Sequence, residues 1–507
     1  MSGTVIDALT WWARISPEQI AIDFDGDPVT YEQLNTWADG VAAMLADARV
    51  VPGDRVSIVG PNTLEWCVAA LAAFKVGAIA APFNHRMMAR ELGDLIGDCE
   101  PSVVFCDEAL AGRLEEVQAL GAAFILKSLQ RDVAPLRGSQ HAPVPNRAVD
   151  LTDPTAIVYT SGTTGKPKGV IFTHATIAGE MHEWHLVEPI LPQGLRPLMV
   201  LPLFTAAGLI WGIARVVLHG GTLLLQPGFV PARALEVLVE QRATCLTGPP
   251  IIFEQISRVP AFEDADLSTV TTAHCGGARV PVDLLARWQK QGVSLRQIYG
   301  QTEVGGSATA TPRDEAALYP EKCGWGGIFT KIRVVGLDGN DLPPGGQGEI
   351  LVRGPGVMPG YWRNEKATAE AIVDGWVHTG DIGMLDEKGY LTYVDRMKDL
   401  IISGGLNISP MEIELVLQEL PGVYEVAVIS VADEKFGETP AALIRATRPI
   451  EASEVVAWCN ARLADYKVPR YVHFLDADLP RMASGKIAKR ELAATYADLP
   501  QRQSKVR

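Results

Sequence analysis

The sequence predicts an α/β protein. A large N-terminal domain, residues 1–395, is expected to hold αβ-sheet subdomains and a small β-rich subdomain, followed by a small α+β C-terminal domain, residues 396–507. Three observations lead there. Short apolar runs alternate with helix-like segments over the first 325 residues or so, the pattern of βαβ units on a largely parallel sheet. Between about 326 and 394 the texture changes to strand, turn, strand with Gly and Pro punctuation. After Asp395-Arg396-Met397-Lys398-Asp399 a strong helix start opens the last α+β unit.

In chain order, Thr30-x-x-Gln33 reads as a capping box, with Leu34, Trp37, Val41 and Met44/Leu45 at helical spacing behind it. A strand over Arg55–Gly60 follows, then a helix opened by Asn62 with Glu65 three residues on. Apolar strands at Ala78–Phe83 and Pro101–Cys106 complete the first α/β unit. The polar, proline-containing stretch 128–150 reads as a loop or linker. Strands are then expected at Leu198–Leu203, Thr222–Leu225, Ala243–Leu246, Val270–His274 and Leu295–Tyr299, with helices at Ala232–Gln241 and Val282–Gln291. Ile332–Val335 and Gly348–Arg353 read as two strands about a turn. Ser409-Pro410-Met411-Glu412 combines an N-cap Ser, Pro at the first helical position and Glu at N3. A strand at Val426–Val431 and a helix at Ala452–Leu463 follow.

Composition narrows the function classes. Of 507 residues 47% are hydrophobic and 21% charged, which is the balance of a globular enzyme. The formal net charge of −15 argues against a nucleic-acid binder that neutralises phosphates broadly. Seven cysteines (Cys67, Cys99, Cys106, Cys245, Cys275, Cys323, Cys459) are scattered without metal-ligand spacing, as expected of reduced buried thiols. No basic leader, peroxisomal or prenylation signal, or apolar run of membrane-spanning length is evident, so a cytoplasmic protein is expected.

The most distinctive stretch is Tyr159-Thr160-Ser161-Gly162-Thr163-Thr164-Gly165-Lys166-Pro167-Lys168-Gly169-Val170, which follows the apolar Ala156-Ile157-Val158. Glycines let backbone N–H groups approach an anion, hydroxyls add short donors, and lysines oppose charge on phosphoryl oxygens. The spacing is not that of a Walker A loop: two residues separate Gly162 from Gly165-Lys166 where four are needed. Tyr299-Gly300-Gln301-Thr302-Glu303 ends an apolar run; a carboxylate there could coordinate Mg²⁺ beside the Thr302 hydroxyl. An isolated segment of either kind is often only a turn. His378-Thr379-Gly380-Asp381, Asp395-Arg396, Ser403-Gly404-Gly405 and Pro480-Arg481-Met482-Ala483-Ser484-Gly485-Lys486 follow in order. His182 and His185 lack a zinc-site pattern, and Cys275 reads as a small packing residue.

Taken together these motifs resemble the adenylate-forming superfamily of acyl- and aryl-CoA synthetases, luciferases and peptide-synthetase adenylation domains. The likeness covers nearly the whole chain and comes closest to the acyl-CoA synthetases. It implies two half-reactions: a carboxylate attacks MgATP to give acyl-AMP and pyrophosphate, and a thiol then displaces AMP. It implies that Thr160, Ser161, Gly162, Thr163, Thr164, Gly165, Lys166, Lys168, Gly276, Gly277, Ala278, Tyr299, Gly300, Gln301, Asp381 and Arg396 contact ATP. Lys486, Glu303 and Thr302 would be catalytic, Glu303 as the Mg²⁺ ligand. Ser403, Gly404 and Gly405 would line the CoA passage, and Lys398 would be the hinge of a mobile C-terminal domain.

The acid pocket is expected around Phe204, Thr205, Ala206, Gly208, Trp211, His274, Gly305, Gly306 and Ser307. Peptide-synthetase domains carry Asp where this chain has Thr205, and many CoA ligases carry His. Without a carboxylate to pair an ammonium, an α-amino acid is disfavoured. A hydrophobic aryl, alicyclic or medium-chain acid fits better, with ATP, Mg²⁺ and CoA as the other participants. Loading of an acyl carrier protein and homodimer formation stay open.

Overall fold

The computed structural model describes residues 3–139, 141–144, 149–160, 167–188, 190, 194–277, 280–482 and 485–507. They form an α/β protein in two compact units: 1–332 with 352–378, and 333–351 with 379–507. The dividing line passes through the β-rich stretch and crosses the strand Trp376–Leu385 between His378 and Thr379.

The first unit is built on two sheets. One runs in the order Ile125–Ser128, Val103–Cys106, Arg55–Val59, Ile79–Phe83, Pro154–Thr160, Lys168–Thr173; all neighbours are parallel except the last, antiparallel pair. The second has nine strands. Leu295–Tyr299, Thr272–Gly276, Cys245–Gly248, Pro197–Met199, Leu223–Leu225 and Ile20–Phe24 are parallel in that order, with antiparallel strands at both edges. The alternation read from the sequence is therefore the architecture.

A helix buried on every face marks the middle of this unit. In Leu64–Lys75 every residue but Glu65 is buried, so the sequence has no polar stripe and helical periodicity is weak there. It packs on Tyr31–Asp47, capped by Thr30 and Gln33 as the sequence predicts. Its Lys75 Nζ lies 2.6 Å from Asp39 Oδ1 of that helix, both side chains buried. Burial pulls the Lys75 pKa down while Asp39 opposes the shift. Asp39 also accepts from Val144 N and Asn35 Nδ2, which offsets part of its desolvation.

Two local expectations are corrected. Asn62 does not open the following helix: Thr63 is the N-cap, accepting from Trp66 N. Asn62 instead bridges loops, donating to Leu201 O and Gln226 O and accepting from Leu203 N. The stretch 128–150 is not all loop, because Leu129–Val133 and Ala134–Leu136 are helical turns with Leu129 and Val133 in the core. Most other strand and helix ends differ by a residue or two from expectation, but the strand expected over Leu198–Leu203 stops at Met199, that expected at Val426 begins at Val423, and the helix expected to reach Leu463 ends at Asn460. All seven cysteines are buried free thiols, and burial pushes Cys99 up to about 12.

The second unit centres on a sheet ordered Leu406–Ile408, Ile401–Ser403, Gly437–Ala446, Val423–Asp433, with Tyr471–Leu475 parallel to Gly437–Ala446. The Pro410–Gln418 helix starts at the predicted Ser409 cap and buries Ile413 and Leu417 in the core with Val426, Val428 and Ile444. No described helix is long and apolar enough to cross a membrane.

The Lys75–Asp39 pair makes the first unit's helical layer sensitive to single substitution. Lys75→Met should lower its unfolding free energy by roughly 3 kcal/mol, because a buried carboxylate loses its counter-charge. Adding Asp39→Asn should recover part of the loss. Denaturant unfolding of the single and double variants measures both; equal loss in each would mean that packing, not charge, accounts for it.

Candidate functional site

The loops after parallel strands meet at their carboxyl ends, where α/β sheets bind ligands. The strand Leu295–Tyr299 leads into Gly300-Gln301 and a short turn over Thr302–Val304. The chain then folds back on itself: Gly306 N donates to Gln301 O at 3.0 Å, and Ala308 N to Tyr299 O at 2.8 Å. A Cβ on Gly300 would stand 2.3 Å from Gly306 O, so only glycine permits this closure. Gly306 has φ +113°, and a Cβ there would meet Trp211 Nε1 at 2.4 Å. Trp211 Nε1 clamps the turn by donating to Gly305 O at 2.9 Å.

The turn aims Glu303 at a tyrosine that the sequence reading missed. Tyr361 Oη donates to Glu303 Oε1 at 3.1 Å, and Met358 N donates to Glu303 O. Lys168 Nζ lies 4.9 Å above the Tyr361 ring, within cation–π range. The Gly360–Trp362 segment is held against the Lys168–Thr173 strand by Ile171 N to Gly360 O and Trp362 N to Gly169 O. One ring thus brings a lysine of the glycine-rich loop and the carboxylate of the YGQTE turn together from positions 135 residues apart. Burial, then Glu303, raises the Tyr361 pKa, so the phenol keeps its proton and remains a donor. The signal for it was an aromatic pair in a Gly/Pro loop, Met358-Pro359-Gly360-Tyr361-Trp362.

Of the other residues expected to contact ATP, Thr160 pairs with Lys168 at the base of the loop, and Gly276 packs against Ile298. Gly277 follows with φ +80°. Ser161, Gly162, Thr163, Thr164, Gly165, Lys166 and Ala278 lie outside the described residues.

The expected acid-pocket residues gather only in part. Trp211, His274 and Ser307 lie around Trp184 of the His174–Val187 helix, and Gly305 and Gly306 lie against Trp211. Trp184 meets Trp211 and His274 edge-on, both at 5.2 Å between centroids, and points its Nε1 at Ser307 O. Phe204 packs instead on His85. The Thr205 hydroxyl is taken up locally, donating to Pro202 O and accepting from Gly208 N. Ala206 is buried and Gly208 abuts the Leu203 backbone. His182 stacks on Phe329 and His185 lies tilted against His219, in no metal cluster among the described residues.

Glu180, Trp184 and Glu188 recur at helical spacing and face this region, another feature missed from the sequence. Glu180 lies beside Gly305 and Gly356 and is 2% exposed; burial, then Glu183, raises its pKa well above the carboxylate range. Burial also opposes charge on Glu188, yet His274, Arg296 and the Thr272 hydroxyl outweigh it and hold that carboxyl ionised. Burial, then Arg296, lowers His274 to about 4.

In the second unit, Asp381 pairs across strands with Arg396, with Arg396 Nε 3.5 Å from Asp381 Oδ1. Asp395 caps the Pro410–Gln418 helix through Ser409 Oγ and Met411 N. Burial, then Arg396, lowers the Lys398 pKa. Gly404 and Gly405, both at positive φ, form the two-residue turn between Ile401–Ser403 and Leu406–Ile408, where backbone twist demands glycine. Lys486 is half-buried on a tight turn closed by Met482 N to Lys486 O at 2.7 Å and by the Arg481–Ile487 bridge. Arg481 pins that turn to Glu425.

Comparison with known proteins gives the family of the chain. The family model of AMP-binding enzymes matches residues 9–362, and that of the AMP-binding enzyme C-terminal domain matches 412–486. The chain is 39% identical to a feruloyl-CoA synthase of an Amycolatopsis species, covering 96% of this chain and 97% of the relative. It is 34% identical to the long-chain-fatty-acid–CoA ligase FadD13 of Mycobacterium tuberculosis, over 92% of this chain and 93% of that one. The o-succinylbenzoate-CoA synthetase MenE of Bacillus subtilis, solved with ATP and magnesium ion, superposes with a TM-score of 0.86 at 29% identity, covering 96% and 98% of the two chains.

The Glu180 carboxyl gives a pH signature. An unfolded Glu titrates near 4.5, whereas folded Glu180 keeps its proton to higher pH. Its contribution to stability is full below the unfolded value and falls as pH rises from there through the folded value. Glu180→Gln should remove that loss. Melting curves at pH 5 and pH 8 should show the variant gaining on the wild type at pH 8; parallel shifts would mean Glu180 is ionised in the fold.

Proposed function

The chain belongs to the AMP-binding enzyme family and is an AMP-forming acid–thiol ligase of the acyl-CoA synthetase kind, and on that premise we propose how its residues divide the work. The substrate is a hydrophobic carboxylic acid. Its carboxylate oxygen attacks the α-phosphorus of ATP, the bond to pyrophosphate breaks, and acyl-AMP forms. The CoA thiol then attacks the acyl carbon, AMP leaves, and the thiol proton passes to solvent. The single observation that carries this reading is the convergence of Lys168 and Glu303 on Tyr361.

Lys168, with the hydroxyls and glycines over 160–166, neutralises the phosphates, while Thr302 donates to an anionic oxygen. One carboxylate oriented by a phenol suits Mg²⁺, which takes one or two carboxylates and fills its shell with phosphate and water. When bound it offsets charge on the phosphoryl oxygens. Asp381 takes the ribose hydroxyls, steadied by Arg396. Lys486 stabilises the reacting carboxylate and α-phosphate, an interaction strongest in the transition state. Ser403, Gly404 and Gly405 line the thiol passage. The functional division falls at 395/396, with Lys398 as hinge and residues 396–507 as the mobile domain; a hinge needs φ/ψ freedom more than a particular side chain.

Lys486→Ala should lower the rate of acyl-AMP formation by about 100-fold or more with melting temperature and ATP binding retained. An unfolded variant would make Lys486 structural. Glu303→Gln should raise the Mg²⁺ needed for half-maximal rate roughly tenfold; an unchanged requirement removes it from the metal. The reading as a whole is tested by AMP release from MgATP over a panel of aryl, alicyclic and C4–C16 acids, with and without CoA. Turnover that requires CoA is expected. Pyrophosphate release that CoA does not stimulate would point to a carrier-protein thiol instead.

A further inference from the structure

Glu180, on the His174–Val187 helix, takes no part in the chemistry of acyl-AMP formation. Yet it is 2% exposed, and its Oε1 has no hydrogen-bond partner among the described residues. Leaving a polar atom unpaired in the core is costly, so its place there must bring some gain elsewhere. Its neighbours are two glycines from separate segments of the chain, Gly305 and Gly356.

A Cβ on Gly305 would stand 2.9 Å from Glu180 Oε2 and 3.0 Å from Gly356 Cα. A Cβ on Gly356 would stand 2.0 Å from the same oxygen and 3.2 Å from Val304 O. The two backbones and the carboxyl therefore meet at one point, and only residues without a side chain let them. Burial, then Glu183, favours the protonated form of Glu180, so no full charge is pressed against either backbone.

Both glycine segments lead to Glu303. Gly305 lies two residues past it, in the turn closed by Gly305 N to Thr302 O at 3.2 Å and Gly306 N to Gln301 O at 3.0 Å. Gly356 lies two residues before Met358, whose N donates to Glu303 O at 3.0 Å, and five before Tyr361, whose Oη donates to Glu303 Oε1 at 3.1 Å. Glu183, one turn further along the helix, accepts from Phe329 N, Thr330 N and Thr330 Oγ1, and a Cβ on Gly354 would stand 2.3 Å from that hydroxyl. The segment that carries Met358 and Tyr361 is thus seated on this helix at two points, through Thr330 at Gly354 and through Glu180 at Gly356.

We propose that Glu180 is a positioning residue for Glu303: its carboxyl sets the spacing between the Gly305 turn and the Gly356 segment, and through them the placement of the Glu303 carboxylate that takes Mg²⁺. The inference rests on the ligase reading, in which Glu303 is the metal ligand. One segment holds Glu303 by its backbone and the other by its backbone and side chain, so a void in place of the Glu180 carboxyl lets the two relax independently and the carboxylate loses its fixed position.

The test uses the full-length enzyme and begins without ligand, by amide hydrogen exchange read by mass spectrometry. Glu180→Ala should speed exchange in residues 300–308 and 354–362 by about tenfold, with the Leu64–Lys75 helix as in the wild type. The Mg²⁺ needed for half-maximal acyl-AMP formation should rise by roughly five- to tenfold. Adding Glu180→Ala to Glu303→Gln should raise it no further than Glu303→Gln alone, because both act through one carboxylate. Glu180→Gln keeps the shape and adds no charge, so it should match the wild type in both measurements. If Glu180→Ala does not fold, Glu180→Asp, which draws the carboxyl back by one methylene, carries the same expectations. Unchanged exchange in both segments, additive effects on the Mg²⁺ requirement, or Glu180→Gln as impaired as Glu180→Ala overturns the proposal. Faster exchange with an unchanged Mg²⁺ requirement overturns it while Glu303 keeps its place at the metal. A Mg²⁺ requirement that Glu303→Gln does not move brings down both.

Discussion

The candidate site depends on a backbone closure that tolerates no side chain at its tightest point. Between Tyr299 and Ala308 the chain turns back so closely that Gly306 O occupies the space a Cβ on Gly300 would need. Trp211, from the Leu209–Ala214 turn, locks the closed form by its bond to Gly305 O. Thr302 and Glu303 ride on that closure. The closure fixes their backbone, and the Tyr361 phenol holds the Glu303 carboxylate in place.

A second consequence follows from the His174–Val187 helix. Glu180 and Trp184 at i and i+4 and the C-cap residue Glu188 follow one another along it: Glu180 against the closed turn, Trp184 in the middle, Glu188 at the polar end. Burial, then Glu183, raises the pKa of the first carboxyl, whereas for the last the opposing effect of burial is outweighed by His274, Arg296 and the Thr272 hydroxyl, which lower it. The same residue type on one helix thus serves opposite electrostatic ends, decided by partners on the neighbouring strands.

Much of this was legible beforehand where a local rule suffices. Thr30 with Gln33 and Ser409 with Pro410 are each specified by chemistry within four residues, and each stands where the sequence placed it. The alternation of strands and helices was equally readable, because burial on both faces of a parallel sheet leaves continuous apolar runs. Asn62 defeated the same reasoning. It has a capping side chain beside a helix start, but two loops more than 130 residues away compete for its amide, and the cap passes to Thr63.

The sequence by itself determined the architecture, the family and the order of its chemistry-bearing stretches, since periodicity, caps and glycine spacing are short-range properties that survive without coordinates. Tertiary structure alone decided which of those residues meet. Tyr361 joins Lys168 to Glu303 across 193 and 58 positions; Thr205 spends its hydroxyl on its own turn; Glu188 finds Arg296 on a strand 108 residues on. The physical reason is that hydrogen-bond partners and burial are set by what lies across a packed interface, and no periodicity along the chain encodes the far side of that contact.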